Sequence, residues 1–447
     1  MIRRRKDRGG GTPRPDAVSL PAMTTRTQRI LAGVGILLLV LGAIVFVTFT
    51  HEKEIRRPLA SGYGIDDAQF ERSMSTLLGP PLVPGNHVDT LLNGDQIFPA
   101  MLEAIRAAKK TITFETYIYW SGETGKAFAD ALSERARSGV KVHILIDWVG
   151  SQRMEDSLLA QMRDSGAEIF KYHAPRWYNI NRLNNRTHRK ILVVDGQVGF
   201  TGGVGIADEW SGHAQDKDHW RDTHYRIAGP AVAQMQAAFV DNWLKVSGAV
   251  LHGAAYFPPI APSGSQPAQM FMSSQEGGAE SMHLMYLLSI AAARKSIDLS
   301  MAYFVPDELA SDALVNALKR GVRVRIITPG QNTDVALVRS AGRATWGPFL
   351  QAGAEIYEYQ PTMFHAKVLV VDRHWVSVGS TNFDTRSFRL NDEANLNVLD
   401  RAFAERQAAD FEADLKRSRR VSYEQWASRP WREKVQDHFL ALFNSQL

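Results

Sequence analysis

Residues 188–195 read His-Arg-Lys-Ile-Leu-Val-Val-Asp, and residues 365–372 read His-Ala-Lys-Val-Leu-Val-Val-Asp. Both have the form His-x-Lys-x4-Asp, and in both the apolar, β-branched run after the lysine predicts a buried strand. Asp195 and Gly196 together are typical of a hairpin turn. The motif therefore predicts a strand that turns directly into a second strand.

The motif belongs to a longer internal repeat, in which further segments of the first half correspond in order to segments of the second. The corresponding pairs are residues 107–112 and 292–297, 138–146 and 320–328, and 166–169 and 353–356. Helix and strand signals alternate in the same order in both halves, which predicts an α/β fold built by duplication. We expect each half to contain a mostly buried mixed sheet flanked by helices.

The basic excess of the chain lies in its N-terminal tail. The net charge is +5, but residues 1–29 carry eight basic and two acidic side chains. The other 418 residues carry 44 basic and 45 acidic side chains. A body this balanced lacks the basic stripe that nucleic-acid binding by counterion release needs, so we expect no nucleic-acid partner.

Residues 30–49 form an uncharged apolar run directly after this tail. About 20 such residues in a helix match the roughly 30 Å hydrocarbon core of a bilayer. No small-residue cleavage site follows, so the run predicts an uncleaved anchor rather than a signal peptide. The positive-inside rule then places the N-terminus inside and the large domain on the outer face of the cytoplasmic membrane.

The chain is longer than one hydrophobic core usually supports, which agrees with two halves. Residues 256–267 are rich in turn-forming residues and indicate a linker between them. The predicted organisation is a basic cytoplasmic tail at 1–29, a transmembrane anchor at 30–50, a juxtamembrane segment at 51–86, the first half at 87–250, a linker at 251–269 and the second half at 270–447.

The motif histidines and lysines are the strongest candidates for catalysis. Residues two apart in a strand share a face, so His188 and Lys190 point the same way, as do His365 and Lys367. A single motif would more often be a hydrogen-bonded histidine at a strand end. Two copies at matching positions let both histidines meet at one interface, where one can be neutral and the other protonated at the same pH.

The duplicated motif resembles that of the phospholipase D superfamily, and the order of features over residues 87–447 looks like its bacterial cardiolipin synthase branch. The resemblance implies a pseudo-twofold enzyme with one active site between the halves. It implies phosphodiester chemistry through a phosphohistidine intermediate, with no metal and no other cofactor. It also implies that His188 is the nucleophile and His365 the general acid.

A nucleophilic imidazole needs an acceptor that holds its other nitrogen. Each half offers one carboxylate at the start of an alternating apolar strand, Asp222 in the first half and Glu393 in the second. We assign each carboxylate to the histidine of its own half, which pairs Asp222 with His188 and Glu393 with His365.

Substrate phosphate needs cationic and hydrogen-bonding groups. We expect Lys190 and Lys367 to hold its oxygens, together with the Ser380 hydroxyl and the Asn382 amide. The first half departs from this pattern, because residues 202–205 read Gly-Gly-Val-Gly and supply neither a hydroxyl nor an amide side chain.

Asp195 and Asp372 complete the candidate catalytic set as the last residues of the two motifs, although we expect them to anchor the turn rather than touch substrate. Residues 213–224 hold several His and Asp side chains, but their spacing fits no metal-ligand template, so we expect no metal site. The chain contains no cysteine, which excludes a disulfide, a thiolate metal site and a cysteine nucleophile.

These expectations favour a membrane-anchored phosphatidyltransferase that forms cardiolipin from two molecules of phosphatidylglycerol. The alternatives are a phospholipase D hydrolase that releases phosphatidic acid, a nuclease of the same superfamily and a non-catalytic membrane scaffold. The balanced body disfavours the nuclease, and intact motifs in both halves disfavour the scaffold. Transfer to a lipid alcohol needs an enclosed cleft, which residues 177–185 and 257–260 could build.

Overall fold

The computed structural model describes residues 25–49, 55, 57–60, 62–174, 185–274 and 281–441. The chain divides into two compact units, Met1–Glu52 and Lys53–Leu447. The smaller unit contains helix α1 (Thr25–Phe49). Among the described residues, no helix combines the length and the hydropathy that crossing a bilayer requires. The anchor over residues 30–50 stays a prediction.

The larger unit begins with helix α2 (Ala68–Leu77) and continues into the first half. The strands of this half are β1 (Val83–Leu92), β2 (Thr111–Thr116), β3 (Lys141–Asp147), β4 (Glu168–Tyr172), β5 (Ile191–Val194), β6 (Val198–Gly202) and β7 (Thr223–Ala228). Its helices are α3 (Asn93–Ala107), α4 (Glu123–Arg137), α5 (Asp156–Asp164) and α6 (Ala231–Ser247).

The second half repeats this arrangement with additions at its end. Its strands are β8 (Gln266–Ser273), β9 (Ser296–Met301), β10 (Phe304–Val305), β11 (Arg323–Pro329), β12 (Glu355–Tyr359), β13 (Lys367–Val371), β14 (Trp375–Gly379), β15 (Phe383–Asp384), β16 (Glu393–Leu399) and β17 (Ser418–Val421). Its helices are α7 (Ser281–Ala292), α8 (Glu308–Lys319), α9 (Ala336–Gln351), α10 (Thr385–Arg389), α11 (Arg401–Leu415), α12 (Tyr423–Ala427) and α13 (Trp431–Ala441).

The two halves share one sheet, whose strand order reveals the duplication. The order is β17-β12-β11-β9-β13-β14-β16-β8-β1-β7-β6-β5-β2-β3-β4. Outward from the antiparallel β1–β8 pair, the series β1-β7-β6-β5-β2-β3-β4 is matched by β8-β16-β14-β13-β9-β11-β12. Each half combines parallel pairs, such as β2–β3 and β9–β11, with antiparallel hairpins. The predicted duplicated mixed α/β fold is confirmed, although the halves are joined edge to edge in a single sheet.

The predicted hairpins follow both motif strands. Asp195 and Gly196 have φ angles of 52° and 64°, and Asp372 and Arg373 have φ angles of 51° and 50°. All four lie in the left-handed region, which two-residue hairpins of this type require. At Gly196 a side chain is also excluded by its neighbours, since a Cβ there would lie 2.4 Å from the carbonyl oxygen of Tyr256.

The last aspartate of each motif ties the hairpin to a neighbouring part of the repeat. Asp195 accepts hydrogen bonds from three consecutive backbone N–H groups, those of Lys109, Lys110 and Thr111. Asp372 likewise accepts from Arg294, Lys295 and Ser296. This geometry corrects their inclusion in the catalytic set. Both carboxylates accept hydrogen bonds from backbone amides at the end of the motif strand that is opposite the histidine.

Apolar side chains of both halves meet behind the motifs. Ile191 and Val193 of β5 belong to the same buried cluster as Val368 and Val370 of β13. This packing fixes the two motif strands relative to one another. The segment predicted as juxtamembrane also contributes, because Phe70 of α2 is fully buried in the core of the second half.

Candidate active site

Two short backbone bridges connect the halves beside the motif histidines. Thr187 pairs in parallel with Asp392, and Arg221 pairs in parallel with Phe364. The N–H of His188 donates to the Asp392 carbonyl at 2.8 Å. In the matching bridge, the N–H of His365 donates to the Arg221 carbonyl at 2.7 Å. Each histidine is therefore placed next to the first residues of a strand from the opposite half.

His188 is paired with Glu393 across this interface. Its Nδ1 lies 2.9 Å and 3.0 Å from the two carboxylate oxygens. Glu393 is fully buried, and its oxygens also accept hydrogen bonds from the Ser380 hydroxyl and the Asn391 side-chain amide. These donors hold the carboxylate in one orientation, so that the imidazole ring is held as well.

His365 is paired with Asp222 in the same manner. Its Nδ1 lies 2.7 Å from Asp222 Oδ2. The same oxygen accepts a hydrogen bond from Trp210 Nε1 at 2.8 Å, and the other accepts from the backbone N–H of Thr223 at 2.8 Å. In both pairs Nδ1–H donates to a carboxylate, which leaves Nε2 as the nitrogen available for chemistry.

The predicted pairing of each carboxylate with the histidine of its own half is wrong. Asp222 precedes β7, and in the sheet β6 separates β7 from β5, the strand after His188. Two strand spacings amount to about 10 Å, which no carboxylate side chain can span. The second half has the same geometry, with β14 between β16 and β13.

Close neighbours explain two glycines of the first half, and one of these neighbours is Asp222. A Cβ at Gly203 would lie 2.2 Å from Asp222 Oδ1, so no serine fits at the position that corresponds to Ser380. Trp210 supplies the missing hydrogen bond from a short 3-10 helix, Asp208–Trp210. A Cβ at Gly205 would lie 2.7 Å from the Cβ of Ile118. Sequence reasoning missed Trp210, which carries no motif signal.

The two lysines lie against the histidines of their own motifs. Lys190 Nζ donates to the His188 carbonyl at 2.8 Å, and Lys367 Nζ donates to the His365 carbonyl at 2.6 Å. Lys367 Nζ also lies 3.1 Å and 3.2 Å from the two ring nitrogens of His365. Burial lowers the pKa of Lys190 to about 7 and that of Lys367 to about 8. An anion beside them would favour their charged forms.

Burial and charge set the protonation of the two pairs. Burial lowers the pKa of His188 to about 4, against the opposing effect of Glu393. Burial and Lys367 also lower the pKa of His365. Burial alone would raise the pKa values of Glu393 and Asp222, but the adjacent histidine and lysine lower both below their usual range. The site therefore holds two ionised carboxylates, each against an imidazole that is neutral in the free protein.

Both histidines line one cavity of about 660 Å³ between the halves, together with Lys190 and Asn382. The Oδ1 atom of Asn382 is buried without a hydrogen-bond partner among the described residues. A phosphate oxygen would need the Nδ2 donor of the same amide. Ser380 is different, because its fully buried hydroxyl donates to Glu393. The prediction that Ser380 contacts phosphate directly is corrected, since this hydroxyl orients the carboxylate instead.

The cavity also contains residues that sequence reasoning missed. Arg186 and Arg386 line it from opposite halves, with Tyr117 and Tyr303. The ring of Tyr117 meets the ring of His188 edge-on at a centroid distance of 5.2 Å. The sequence contained a signal for Arg186, since it precedes His188 by two residues and residues two apart in a strand share a face.

The remaining sequence predictions concern segments that do not line this cavity or that the structure does not describe. Residues 175–184, with Trp177 and Tyr178, lie outside the described residues. Phe257 packs beside Trp243 rather than on the cavity wall. In the segment 213–224, His213 contacts Asp95, and His219 contacts Asp216. Across the described parts of the chain, no three His, Asp or Glu side chains are grouped so that they could hold a metal ion.

Comparisons with known proteins agree with the duplication. The family model described as "Cardiolipin synthase, PLD-like domain" matches residues 101–239 and 286–415, one stretch in each half. The major cardiolipin synthase ClsA of Bacillus subtilis (strain 168) is 36% identical over 348 residues, which are 77% of this chain and 72% of that protein. Cardiolipin synthase A of Pseudomonas syringae pv. syringae (strain B728a) is 34% identical over 361 residues, 79% of this chain and 74% of that protein.

Among solved structures, the phosphatidylserine synthase of Haemophilus influenzae Rd KW20 superposes with a TM-score of 0.66. The match covers 85% of this chain and 99% of that chain at 16% sequence identity. At this identity the likeness concerns the fold alone.

Proposed function

The chain belongs to the cardiolipin synthase family of phospholipase D-like proteins, and from this premise we propose that it is a phosphatidyltransferase that forms cardiolipin. Two molecules of phosphatidylglycerol are the substrates, and glycerol is the second product. The observation that carries this proposal is the pair of imidazole–carboxylate contacts that face one cavity from the two halves.

In the first step, Nε2 of His188 attacks the phosphorus of one phosphatidylglycerol, and the bond from phosphorus to the glycerol oxygen breaks. His365, protonated in the complex with the anionic substrate, gives its proton to that oxygen, so that glycerol leaves. Glu393 stabilises the charge that develops on the His188 ring. Lys190, Lys367 and the Asn382 amide stabilise the negative charge on the phosphoryl oxygens.

In the second step, a hydroxyl of another phosphatidylglycerol attacks the phosphohistidine. His365 is now neutral and accepts the hydroxyl proton, while the bond between phosphorus and His188 breaks. The products are cardiolipin and the enzyme in its starting state. Water in place of the lipid alcohol would give phosphatidic acid, so the acceptor alone separates a transferase from a hydrolase.

The test is incubation of the purified full chain with phosphatidylglycerol vesicles, followed by mass spectrometry of the lipids and assay of glycerol. We expect cardiolipin and glycerol in equal amounts, and neither product from His188→Ala. Phosphatidic acid as the sole lipid product would contradict the proposal and indicate the hydrolase.

The proposal includes attachment to the cytoplasmic membrane through residues 30–49, with the catalytic body on the outer face. The sequence supports it by the uncharged run and the basic residues that precede it. The test compares the full chain with a variant lacking residues 1–50 in membrane fractionation, and probes the body with protease in spheroplasts. Recovery of the full chain in the soluble fraction, or protection of the body in intact spheroplasts, would contradict it.

A further inference from the structure

Two arginines outside the motifs lie on the cavity wall next to His188. Arg186 comes from the first half and Arg386 from helix α10 of the second, and both are half-buried. The backbone carbonyls of both arginines accept hydrogen bonds from residues 391–392. The N–H of Asp392 donates to the Arg186 carbonyl at 2.9 Å, and the N–H of Asn391 donates to the Arg386 carbonyl at 3.0 Å. This stretch leads directly into Glu393, the partner of His188.

The two guanidinium groups are close enough to repel each other. Burial and the charge of Arg186 together lower the pKa of Arg386. Arg186 also hydrogen-bonds to Tyr117, whose ring contacts His188. Two like charges on one cavity wall are costly unless an anion lies between them, and arginine forks match the geometry of a phosphate.

Two carboxylates that act on Arg386, Asp147 and Asp384, are also held by backbone hydrogen bonds. Asp147 accepts hydrogen bonds from the backbone N–H groups of Val149, Gly150 and Thr187. Asp384 caps helix α10 through the backbone N–H of Ser387. Burial raises the pKa of Asp147 to about 6 and that of Asp384 to about 7, so both are partly protonated near neutral pH. Partial protonation reduces the negative charge that these two carboxylates present to the arginines, so this wall can still attract an anionic ligand.

The proposed reaction needs a second phosphate site. The lysines of the motifs serve the phosphate that is transferred, but the acceptor lipid brings a phosphodiester of its own, one glycerol unit from the attacking hydroxyl. We propose that Arg186 and Arg386 bind the phosphodiester of the acceptor lipid and thereby select an anionic lipid alcohol over a neutral alcohol or water. This acceptor site rests on the phosphatidyltransferase function proposed above.

The test separates the two half-reactions. The donor is phosphatidyl-p-nitrophenol, whose nitrophenol release in the first turnover reports cleavage independently of the acceptor. The acceptor is either phosphatidylglycerol or a monoacylglycerol, which offers the same free glycerol hydroxyls without a phosphate. The full-length wild type should transfer preferentially to phosphatidylglycerol. Arg186→Gln and Arg386→Gln should each reduce this preference about tenfold or more. The preference is measured as the ratio of the two transfer products, which a general loss of donor cleavage does not change.

Arg389→Gln is the matched control. Arg389 belongs to the same short helix but pairs with Asp307, 3.3 Å away, and does not line the cavity. This variant should keep the acceptor preference, and Arg386→Lys should restore part of it. If a glutamine variant does not fold, Arg386→Lys alone still tests the site, because a lysine cannot form the fork.

An acceptor preference that is unchanged in both glutamine variants, or equally reduced in Arg389→Gln, would overturn the acceptor site and leave the transferase intact. Nitrophenol release by the wild type without transfer to either alcohol would instead overturn the phosphatidyltransferase function, and the acceptor site with it.

Discussion

His188 in the first half holds its imidazole ring against Glu393 in the second half, with Nδ1 2.9 Å from the nearer carboxylate oxygen. The reciprocal contact joins His365 to Asp222 at 2.7 Å. Neither half therefore contains a complete imidazole–carboxylate pair. We therefore expect catalysis to depend on the interface, because separating the halves would remove the acceptor from both histidines.

Replacement of either motif histidine should abolish turnover of phosphatidylglycerol. We expect His188→Ala and His365→Ala each to lower kcat by about 10³-fold or more, while the exposed His213→Ala remains active. With the activated nitrophenyl donor, His365→Ala should accumulate a phosphatidyl adduct on His188, detectable by peptide mass spectrometry. An adduct on His365 instead would reverse the two roles.

The crossed pairs predict different responses to the leaving group. Glu393→Gln should slow cleavage of both activated and natural donors by about 10²–10⁴-fold, because Glu393 serves the nucleophile. Asp222→Asn should slow only the natural donor, because nitrophenol leaves without the proton from His365. The measurement is single-turnover cleavage of each donor. The opposite assignment of the two responses would contradict the crossed arrangement or the roles of the histidines.

The pH dependence of kcat/KM should show a plateau bounded on the acid side by His188 and on the alkaline side by His365 and Lys190, which must both be protonated. Burial lowers the pKa of His188 to about 4, so the nucleophile stays neutral until the pH falls to that range. Burial lowers the pKa of Lys190 to about 7, so its charge is present below this pH and lost above it. Burial and Lys367 lower the pKa of His365, so the free enzyme loses the proton of its general acid before the pH reaches 7. We expect kcat/KM to fall already as the pH approaches 7 and to fall further above it. The limb in kcat should lie higher, because bound phosphate favours the charged forms of both groups. A flat profile up to pH 9 would contradict this.

Trp210 should act as a positioning residue for Asp222. Trp210→Phe keeps an aromatic ring but removes the hydrogen bond to Asp222. This loss should lower kcat about tenfold with little change in KM. The exposed Trp431→Phe is the control. Gly203→Ser should lower kcat at least as much, because the Cβ of the new serine would lie 2.2 Å from Asp222 Oδ1 and would displace that carboxylate. Wild-type kcat in both variants would remove Asp222 from the mechanism.

The motif aspartates should matter for stability rather than chemistry. Asp195→Asn and Asp372→Asn each weaken a set of three backbone hydrogen bonds, which should lower the free energy of unfolding by about 1–3 kcal/mol. The measurement is denaturant unfolding, with kcat determined on the folded fraction. A large loss of kcat without loss of stability would return these residues to the catalytic set.

Local patterns in the sequence predicted much of the fold and the reactive side chains. The continuous apolar, β-branched run after each lysine and the Asp195-Gly196 turn predicted the motif strands and hairpins, because strand preference and left-handed φ angles are local properties. The repeat of the motif placed both histidines at one site. The resemblance to the phospholipase D superfamily, drawn from that motif, is confirmed by the family model and by the curated relatives.

The tertiary structure alone decided which groups touch. Glu393 and His188 are 205 residues apart, and Asp222 and His365 are 143 residues apart. Their pairing depends on how the two halves join through the β1–β8 pair and pack against each other, which no local pattern encodes. The hydrogen bond from Trp210 to Asp222 and the approach of Arg186 to Arg386 have the same origin. The sequence by itself determined the reactive side chains and the strands that carry them, whereas the interface determined their partners, since each contact is made only after both halves have folded and packed together.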